Sequence, residues 1–97
     1  MADTIEIVTF HLTDGVDQGE FLAKNKEVEN NFVAVQPGFK SRETAVNEDG
    51  EVVVVLHWEK PESAQGSMDK FVPAPETQDF QKLINMDTFK MVRYTQV

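Results

Sequence analysis

The sequence predicts an α+β fold, a ferredoxin-like βαββαβ sandwich with helices on one face of a four-stranded antiparallel sheet. Two observations support it. Runs of β-branched and aromatic residues alternate with segments of helical spacing in that order, and turn residues separate them. In addition, the run EVVVVLHWEK (51–60) is apolar on both faces. At 97 residues, the chain is expected to form a single domain over residues 1–97.

The first half of the chain predicts a strand, a helix and a second strand. Residues 5–12 are rich in β-branched and aromatic side chains, and Asp17 is the predicted N-cap of the helix that follows. The helix is expected to end before Pro37-Gly38. A strand over 39–46 then carries charges suited to a sheet edge. The apolar residues at helical spacing are Phe21, Val28, Phe32 and Val35, and the edge charges are Lys40, Arg42 and Glu43.

The second half predicts a hairpin, two helices and a last strand. The polar turn NEDG (47–50) leads into the run at 51–60, and Pro61 fits the first position of a helix. The segment VPAPE separates this helix from a shorter one, and the final strand is expected at about 88–96. The inward residues predicted for the two helices are Ala64, Met68, Phe71, Val72, Phe80, Leu83 and Ile84.

Strand alternation places apolar side chains on both faces of the third strand. Helices can cover only one face, and an exposed patch of several hundred Å² is rare in soluble monomers. We therefore expect a homodimer in which the sheets of two copies pack together. The residues predicted to face the helices are Val52, Val54, Leu56 and Trp58, and those predicted to face the second copy are Val53, Val55 and His57.

Composition excludes several classes of function. The net charge of −8 argues against nucleic-acid binding, which needs clustered Lys and Arg. No cysteine is present, so thiolate sites and disulfides are excluded. The N-terminus lacks the pattern of a secretory signal, and no apolar stretch approaches the length of a bilayer span. We expect a cytoplasmic protein with no membrane association and no metal site.

The sequence resembles the antibiotic biosynthesis monooxygenase family of the dimeric α/β-barrel superfamily. The resemblance covers nearly the whole chain, and its most specific parts are QPGF (36–39) and VVLHWEKPES (54–63). It implies that two ferredoxin-like protomers join their sheets into an α/β barrel. It also implies a pocket between sheet and helices, in which members oxidise aromatic polyketides or quinols with dioxygen and without metal or flavin.

A haem-degrading branch of the superfamily has a further pattern, from which this sequence departs. In that branch an asparagine on the first strand and a histidine on the helix after the third strand accompany the pocket tryptophan. Trp58 matches that tryptophan, but the asparagine position falls on Phe10, and residues 66–71 contain no histidine. The resemblance therefore argues against haem, and no cofactor is expected.

Trp58 has two interpretations, as a core residue and as the wall of a pocket. The side chains expected to line the same space are Trp58, Phe10, Phe32, Leu56, Met68, Phe71 and Phe80. A stripe of aromatic residues is also typical of a plain core. The polar companions that a catalytic pocket needs are not evident from the pattern.

The candidate catalytic residues are His57, His11 and Arg93. The histidines are the only two in the chain and the only side chains whose unperturbed pKa lies near neutrality. By strand alternation both point away from Trp58, so we expect structural roles for them. Arg93 suits an anionic substrate or a pair with Glu43 or another surface acid, and we expect the surface pair.

Three functions follow from these observations. The first is a cofactor-independent, monooxygenase-like reaction on a small aromatic or quinol-type substrate in an apolar pocket. The second is a non-enzymatic dimeric barrel that binds a small apolar ligand or a partner. The third is an isomerase-like activity that uses a histidine as the base.

Overall fold

The computed structural model describes residues 2–97, which form four strands and three helices. The strands are β1 (Thr4–Leu12), β2 (Phe39–Val46), β3 (Val52–Trp58) and β4 (Ile84–Thr95). The helices are α1 (Gln18–Asn31), α2 (Pro61–Phe71) and α3 (Gln78–Lys82), and two short 3-10 helices cover Val33–Val35 and Pro75–Thr77. The order of these elements confirms the predicted βαββαβ fold.

The sheet is antiparallel throughout, with the strand order β2-β3-β1-β4. The edge position of β2 confirms the prediction from the sequence, and β1 and β3 occupy the two central positions. Because β3 pairs with both β1 and β2, residues on the three strands align in rows across the sheet. Leu56, for example, stands opposite Glu6 on one side and Arg42 on the other.

The hydrophobic core lies between the sheet and the helices. Burial alternates along β1 as far as Phe10 and along the whole of β3, as expected for strands whose faces have different environments. The buried apolar residues include Val8, Phe10, Phe21, Val28, Phe32, Val52, Val54, Leu56, Trp58, Ala64, Phe80 and Ile84.

Of the helices that residues 2–97 form, none lies on the opposite face of the sheet, here called the outer face. Its central residues are only half-buried, and on β4 the side chains of Val92 and Tyr94 are about half exposed, at 47% and 55%. The half-buried apolar residues of this face are Ile5, Ile7, Val53 and Val55.

None of the helices within residues 2–97 has the length and apolar character needed to cross a bilayer.

The local signals at the helix starts are confirmed. The Asp17 side chain accepts a hydrogen bond from the Glu20 amide at 3.2 Å, which caps α1. Pro61 occupies the first turn of α2, as predicted, and Glu62 follows it in the same turn.

Two predicted helix residues do not face the core. Helix α1 ends at Asn31, and the backbone tightens into a 3-10 turn that leaves Val35 68% exposed. Val72 lies just after α2, where the chain turns away, and is 60% exposed. In both cases the helical spacing of apolar residues continues in the sequence beyond the last residue of the helix, which is Asn31 for α1 and Phe71 for α2.

The last strand begins at Ile84, four residues earlier than predicted. Leu83 and Ile84 were predicted to belong to the preceding helix, but α3 ends at Lys82 and Ile84 is the first residue of β4. In the fold, Ile84 and Asn85 pair with the end of β1, beyond an irregularity between Thr9 and His11. There the Thr88 hydroxyl accepts the His11 amide hydrogen bond at 2.8 Å, which satisfies a donor that the interrupted ladder leaves free.

Gly38 sits at the start of β2 with a positive φ of 82°. Its carbonyl accepts a hydrogen bond from the Glu59 amide at 2.8 Å, and Ser63 of α2 packs against its α carbon so closely that any Cβ would collide with it. Gly50, in the β2–β3 hairpin, has the same φ of 82°, but a Cβ added there would have no neighbouring atom within 4 Å.

We expect Gly38→Ala to destabilise the protein more than Gly50→Ala. Both changes carry the left-handed backbone strain of about 1–2 kcal/mol. Gly38→Ala adds the cost of moving α2 away from β2, roughly 1–3 kcal/mol. Urea unfolding followed by the fluorescence of Trp58 measures both. Equal losses for the two variants would contradict the close packing at Gly38.

Candidate functional site

A cavity of about 150 Å³ lies between the sheet and the segment that contains α2 and α3. It opens to solvent beside Val72 and Met86, which line it and are each 60% exposed. An apolar cavity of this size accommodates a single benzene ring. The other lining residues are Glu6, Val8, Phe10, Val33, Arg42, Val54, Leu56, Trp58, Ser67, Met68, Phe71, Phe80, Gln81, Ile84 and Phe89.

Six of the seven residues that we expected around this space line the cavity: Phe10, Leu56, Trp58, Met68, Phe71 and Phe80. The seventh, Phe32, does not. It lies behind the wall, where its ring meets the edge of Phe71 at a centroid distance of 5.5 Å. The 3-10 turn at Val33–Val35 brings Val33 to the cavity in its place.

Trp58 is both a core residue and part of the cavity wall. Its side chain is buried, and the ring of Phe39 packs edge-on against it at a centroid distance of 5.7 Å. The indole Nε1–H donates a hydrogen bond to Oε1 of Glu6 at 3.3 Å. The two interpretations of Trp58 therefore do not exclude each other.

Glu6 is the principal polar residue that the sequence analysis missed. It is a carboxylate on the central strand β1, only 3% exposed, and it lines the cavity. Its Oε2 accepts a hydrogen bond from Nε of Arg93 at 2.8 Å. The signal that could have found it is alternation, since Glu6 shares the helix-facing side of β1 with Val8 and Phe10.

The predicted partner of Arg93 is wrong. Arg93 pairs with the buried Glu6 of the neighbouring strand, directly opposite in the register, and not with Glu43 or another surface acid. Its Nη1 also donates to Oε1 of Gln65 on α2 at 2.7 Å. Glu43 lies on the other edge of the sheet and is exposed, so Arg93 is out of its reach. Arg93 itself does not line the cavity, but its partner Glu6 does.

Arg42 was predicted to be a surface charge at the sheet edge, and this is wrong. Its side chain is 4% exposed and lines the cavity, because α1 covers this end of β2. Nη2 donates to Oδ1 of Asn25 at 2.7 Å and Nη1 to Oε1 of Glu29 at 3.2 Å. Burial lowers the pKa of Arg42, and the hydrogen bond that it donates to Glu29 opposes that shift. Lys40 and Glu43 are exposed, as an edge requires.

The charged residues of the cavity belong to one row across the sheet. Arg42, Leu56, Glu6 and Arg93 stand opposite one another on β2, β3, β1 and β4. Within the described chain, Glu6 and Arg42 are the only charged residues that line the cavity. A negative and a positive group thus occupy two sides of a mostly apolar space, with Leu56 between them.

Neither histidine lines the cavity. His57 and His11 lie on the outer face, as alternation predicted, and both are partly exposed. Nδ1 of His57 is 3.6 Å from Oδ2 of Asp3, whose other oxygen accepts a 2.7 Å hydrogen bond from Lys40. That hydrogen bond lowers the pKa of Asp3. Among residues 2–97, no three His, Asp or Glu side chains cluster closely enough to hold a metal ion.

Solved structures of oxygenases share this architecture. SnoaB, a cofactor-independent oxygenase from Streptomyces nogalater, superimposes with a TM-score of 0.80 at 16% identity, over 100% of this chain and 95% of its own. A protein assigned as an antibiotic biosynthesis monooxygenase from Chloroflexus aurantiacus gives 0.70 at 20% identity, over 98% and 93%. This chain has their fold. The similarity confirms the resemblance at the level of the fold.

Other structures extend the comparison. A protein assigned as an antibiotic biosynthesis monooxygenase from Nitrosomonas europaea has a TM-score of 0.68 at 12% identity, over 98% of this chain and 90% of its own. No protein-family model and no curated protein sequence matches this chain. The similarity that these comparisons show is one of fold.

We expect Arg93→Met to destabilise the protein more than Glu6→Gln. Loss of Arg93 leaves a buried carboxylate without its cation, at a cost of about 3 kcal/mol. In Glu6→Gln the amide oxygen still accepts from Trp58, and the partly exposed Arg93 can turn to solvent, so we expect about 1 kcal/mol. Urea unfolding measures both losses.

The control for this pair is Lys90→Met, which removes an exposed positive charge from the same strand. We expect it to change the free energy of unfolding by less than about 0.5 kcal/mol. If Arg93→Met were as mild as Lys90→Met, the Glu6–Arg93 pair would not stabilise the site.

Proposed function

We propose that the protein is a monooxygenase-like enzyme that oxidises a single-ring quinol or phenol with dioxygen, without metal or flavin. The observation that carries this proposal is a ring-sized apolar cavity whose wall holds a buried carboxylate, Glu6, beside the indole of Trp58. The named activity of SnoaB, whose fold this chain shares, supports the reaction class. The volume of about 150 Å³ matches one aromatic ring, which is why a single-ring substrate is proposed.

For hydroquinone, the proposed reaction consumes one dioxygen and yields hydroxybenzoquinone and water. Ionised hydroquinone transfers one electron to dioxygen, and the resulting superoxide and semiquinone combine at a ring carbon to form a peroxide anion. This anion takes back the proton that ionisation released and becomes a hydroperoxide. Cleavage of the O–O bond then releases water and leaves one oxygen atom on the ring. Dioxygen is reduced by four electrons, all of which come from the substrate.

Glu6 is the residue proposed to accept the first proton. Each carboxylate oxygen has two lone pairs, and the contacts from Trp58 and Arg93 use one lone pair on each oxygen. Acceptor capacity therefore remains for a substrate hydroxyl in the cavity. The ion pair with Arg93 keeps the Glu6 carboxylate in one orientation, and this lowers the entropic cost of positioning the carboxylate for the reaction. The apolar walls limit the contact of the reactive anion with water to the side on which the cavity opens.

We expect Glu6→Gln to slow oxygen uptake with hydroquinone by roughly 100-fold or more, the usual contribution of a general base. Uptake is measured with an oxygen electrode, and mass spectrometry after reaction under ¹⁸O₂ is expected to find one labelled atom per product. The matched control is Glu62→Gln, an exposed acid on α2.

Two results would contradict the proposal. One is a product without ¹⁸O, which would indicate plain oxidation and not oxygenation. The other is equal rates for Glu6→Gln and Glu62→Gln, which would remove Glu6 from the reaction.

A non-enzymatic ligand-binding barrel is the second candidate function. The observation in its favour is that both charged groups of the cavity already have partners, Glu6 with Arg93 and Arg42 with Glu29. Binding of aromatic ligands without oxygen uptake would support it. The isomerase-like alternative is disfavoured, because both histidines lie on the outer face and not in the cavity.

We also propose that two copies pair through the outer face and close an α/β barrel. The apolar row formed by Val55, Ile7 and Val92 crosses three strands of that face. Burying a patch of several hundred Å² at about 25 cal/mol per Å² supplies on the order of 10 kcal/mol before the costs of association.

We expect Val55→Glu to convert this dimer to monomers, because it would bury an unpaired carboxylate in the interface. Sedimentation equilibrium at micromolar protein measures the mass. Val35→Glu is the matched control, since Val35 is exposed outside the outer face. A wild-type protein that sediments as a monomer would refute the proposed pairing.

A further inference from the structure

We infer that the cavity selects aromatic anions, with the anionic group of the ligand at Arg42 and a ring hydroxyl at Glu6. The inference rests on the proposed function for the position of the substrate and adds its chemical class, a hydroxylated single-ring aromatic carboxylate. The observation behind it is the pair of opposite charges in one apolar space.

The guanidinium of Arg42 has donors to spare. Its contacts with Asn25 and Glu29 use two of the five N–H groups that a guanidinium carries. The planar fork of an arginine matches a carboxylate and binds it through two parallel hydrogen bonds. A buried arginine that faces a cavity is therefore suited to hold an anion.

The existing partner of Arg42 does not cancel its charge inside the cavity. Glu29 is 35% exposed and does not line the cavity, so water screens the pair from that side. Toward the cavity, the neighbours of Arg42 are apolar side chains such as Leu56 and Val54. Because the dielectric there is low, the attraction for an entering anion is stronger than it would be at the surface.

The register sets the spacing of the two charged groups. Arg42 and Glu6 both stand opposite Leu56, so they are two strands apart, about 10 Å between backbones. Leu56 forms an apolar floor between them on which one ring can lie. A carboxylate is repelled by Glu6 and attracted by Arg42, so the ligand is expected to bind in one orientation only.

Trp58 provides a site-specific probe for the test. It is the only tryptophan in the chain, and it lines the cavity. Titration of the fluorescence with 4-hydroxybenzoate and with its neutral isostere 4-hydroxybenzamide gives both dissociation constants. We expect the carboxylate to bind about 10- to 100-fold more tightly, which is the range for a hydrogen bond to a charged group.

We expect Arg42→Gln to reduce this preference to about twofold or less, and Arg42→Lys to keep part of it, because Lys keeps the charge without the fork. Lys26→Gln is the matched control, since it removes an exposed positive charge from α1 and is expected to leave the preference unchanged. The ratio of the two constants corrects for general damage to the cavity, which weakens both ligands alike.

Equal affinities in the wild type, no binding of either ligand, or an unchanged ratio in Arg42→Gln would overturn the inference. Failure of the proposed function has a different signature. It would appear as a clear preference for the carboxylate in the binding assay together with no oxygen uptake from hydroquinone or from 2,5-dihydroxybenzoate. Oxygen uptake from hydroquinone by the wild-type protein, together with equal affinities for 4-hydroxybenzoate and 4-hydroxybenzamide, would overturn the inference and leave the proposed function intact.

Discussion

The alternation of side chains along β1 and β3 is the constraint on which the rest of the structure depends. Each central strand has an apolar set on both faces, yet only one face has helices to cover it. The covered face forms the core and the cavity, and the outer face is left with half-buried valines and isoleucines. A shift of one residue in the register would exchange Trp58 with His57 and remove both surfaces at once.

Buried charge on the covered face follows the same alternation. Glu6 falls on the core side of β1 and would be costly there without a cation, since a buried lone carboxylate loses its hydration. The register places Arg93 directly opposite, and α2 adds Gln65 behind it. Arg42 is satisfied in the same way by Asn25 and Glu29 of α1. Each charge is therefore held by an adjacent element, and neither requires the cavity to be filled.

The features that could be predicted from the sequence are those that depend on residues close together in the chain. The Asp17 cap, the Pro61 helix start and the bounds of β2 are local, and the structure has them as expected. The partner of Arg93, the burial of Arg42 and the early start of β4 depend on contacts between distant parts of the chain. The burial of Glu6 could also have been predicted, because alternation places it on the same side of β1 as Val8 and Phe10.

The charged row gives the mostly apolar cavity two polar contacts for the ligand proposed above. Most of the cavity lining is hydrocarbon, which suits a ring but gives it no preferred orientation. Glu6 and Arg42 have opposite charges and stand on either side of Leu56, so they favour one orientation of the ring. A ligand with two different ends gains both contacts in only one of its two orientations. Specificity in such a site depends on the difference between the two orientations and not on total buried area. An edge strand usually cannot supply a buried cation, and here α1 makes it possible by covering that end of β2.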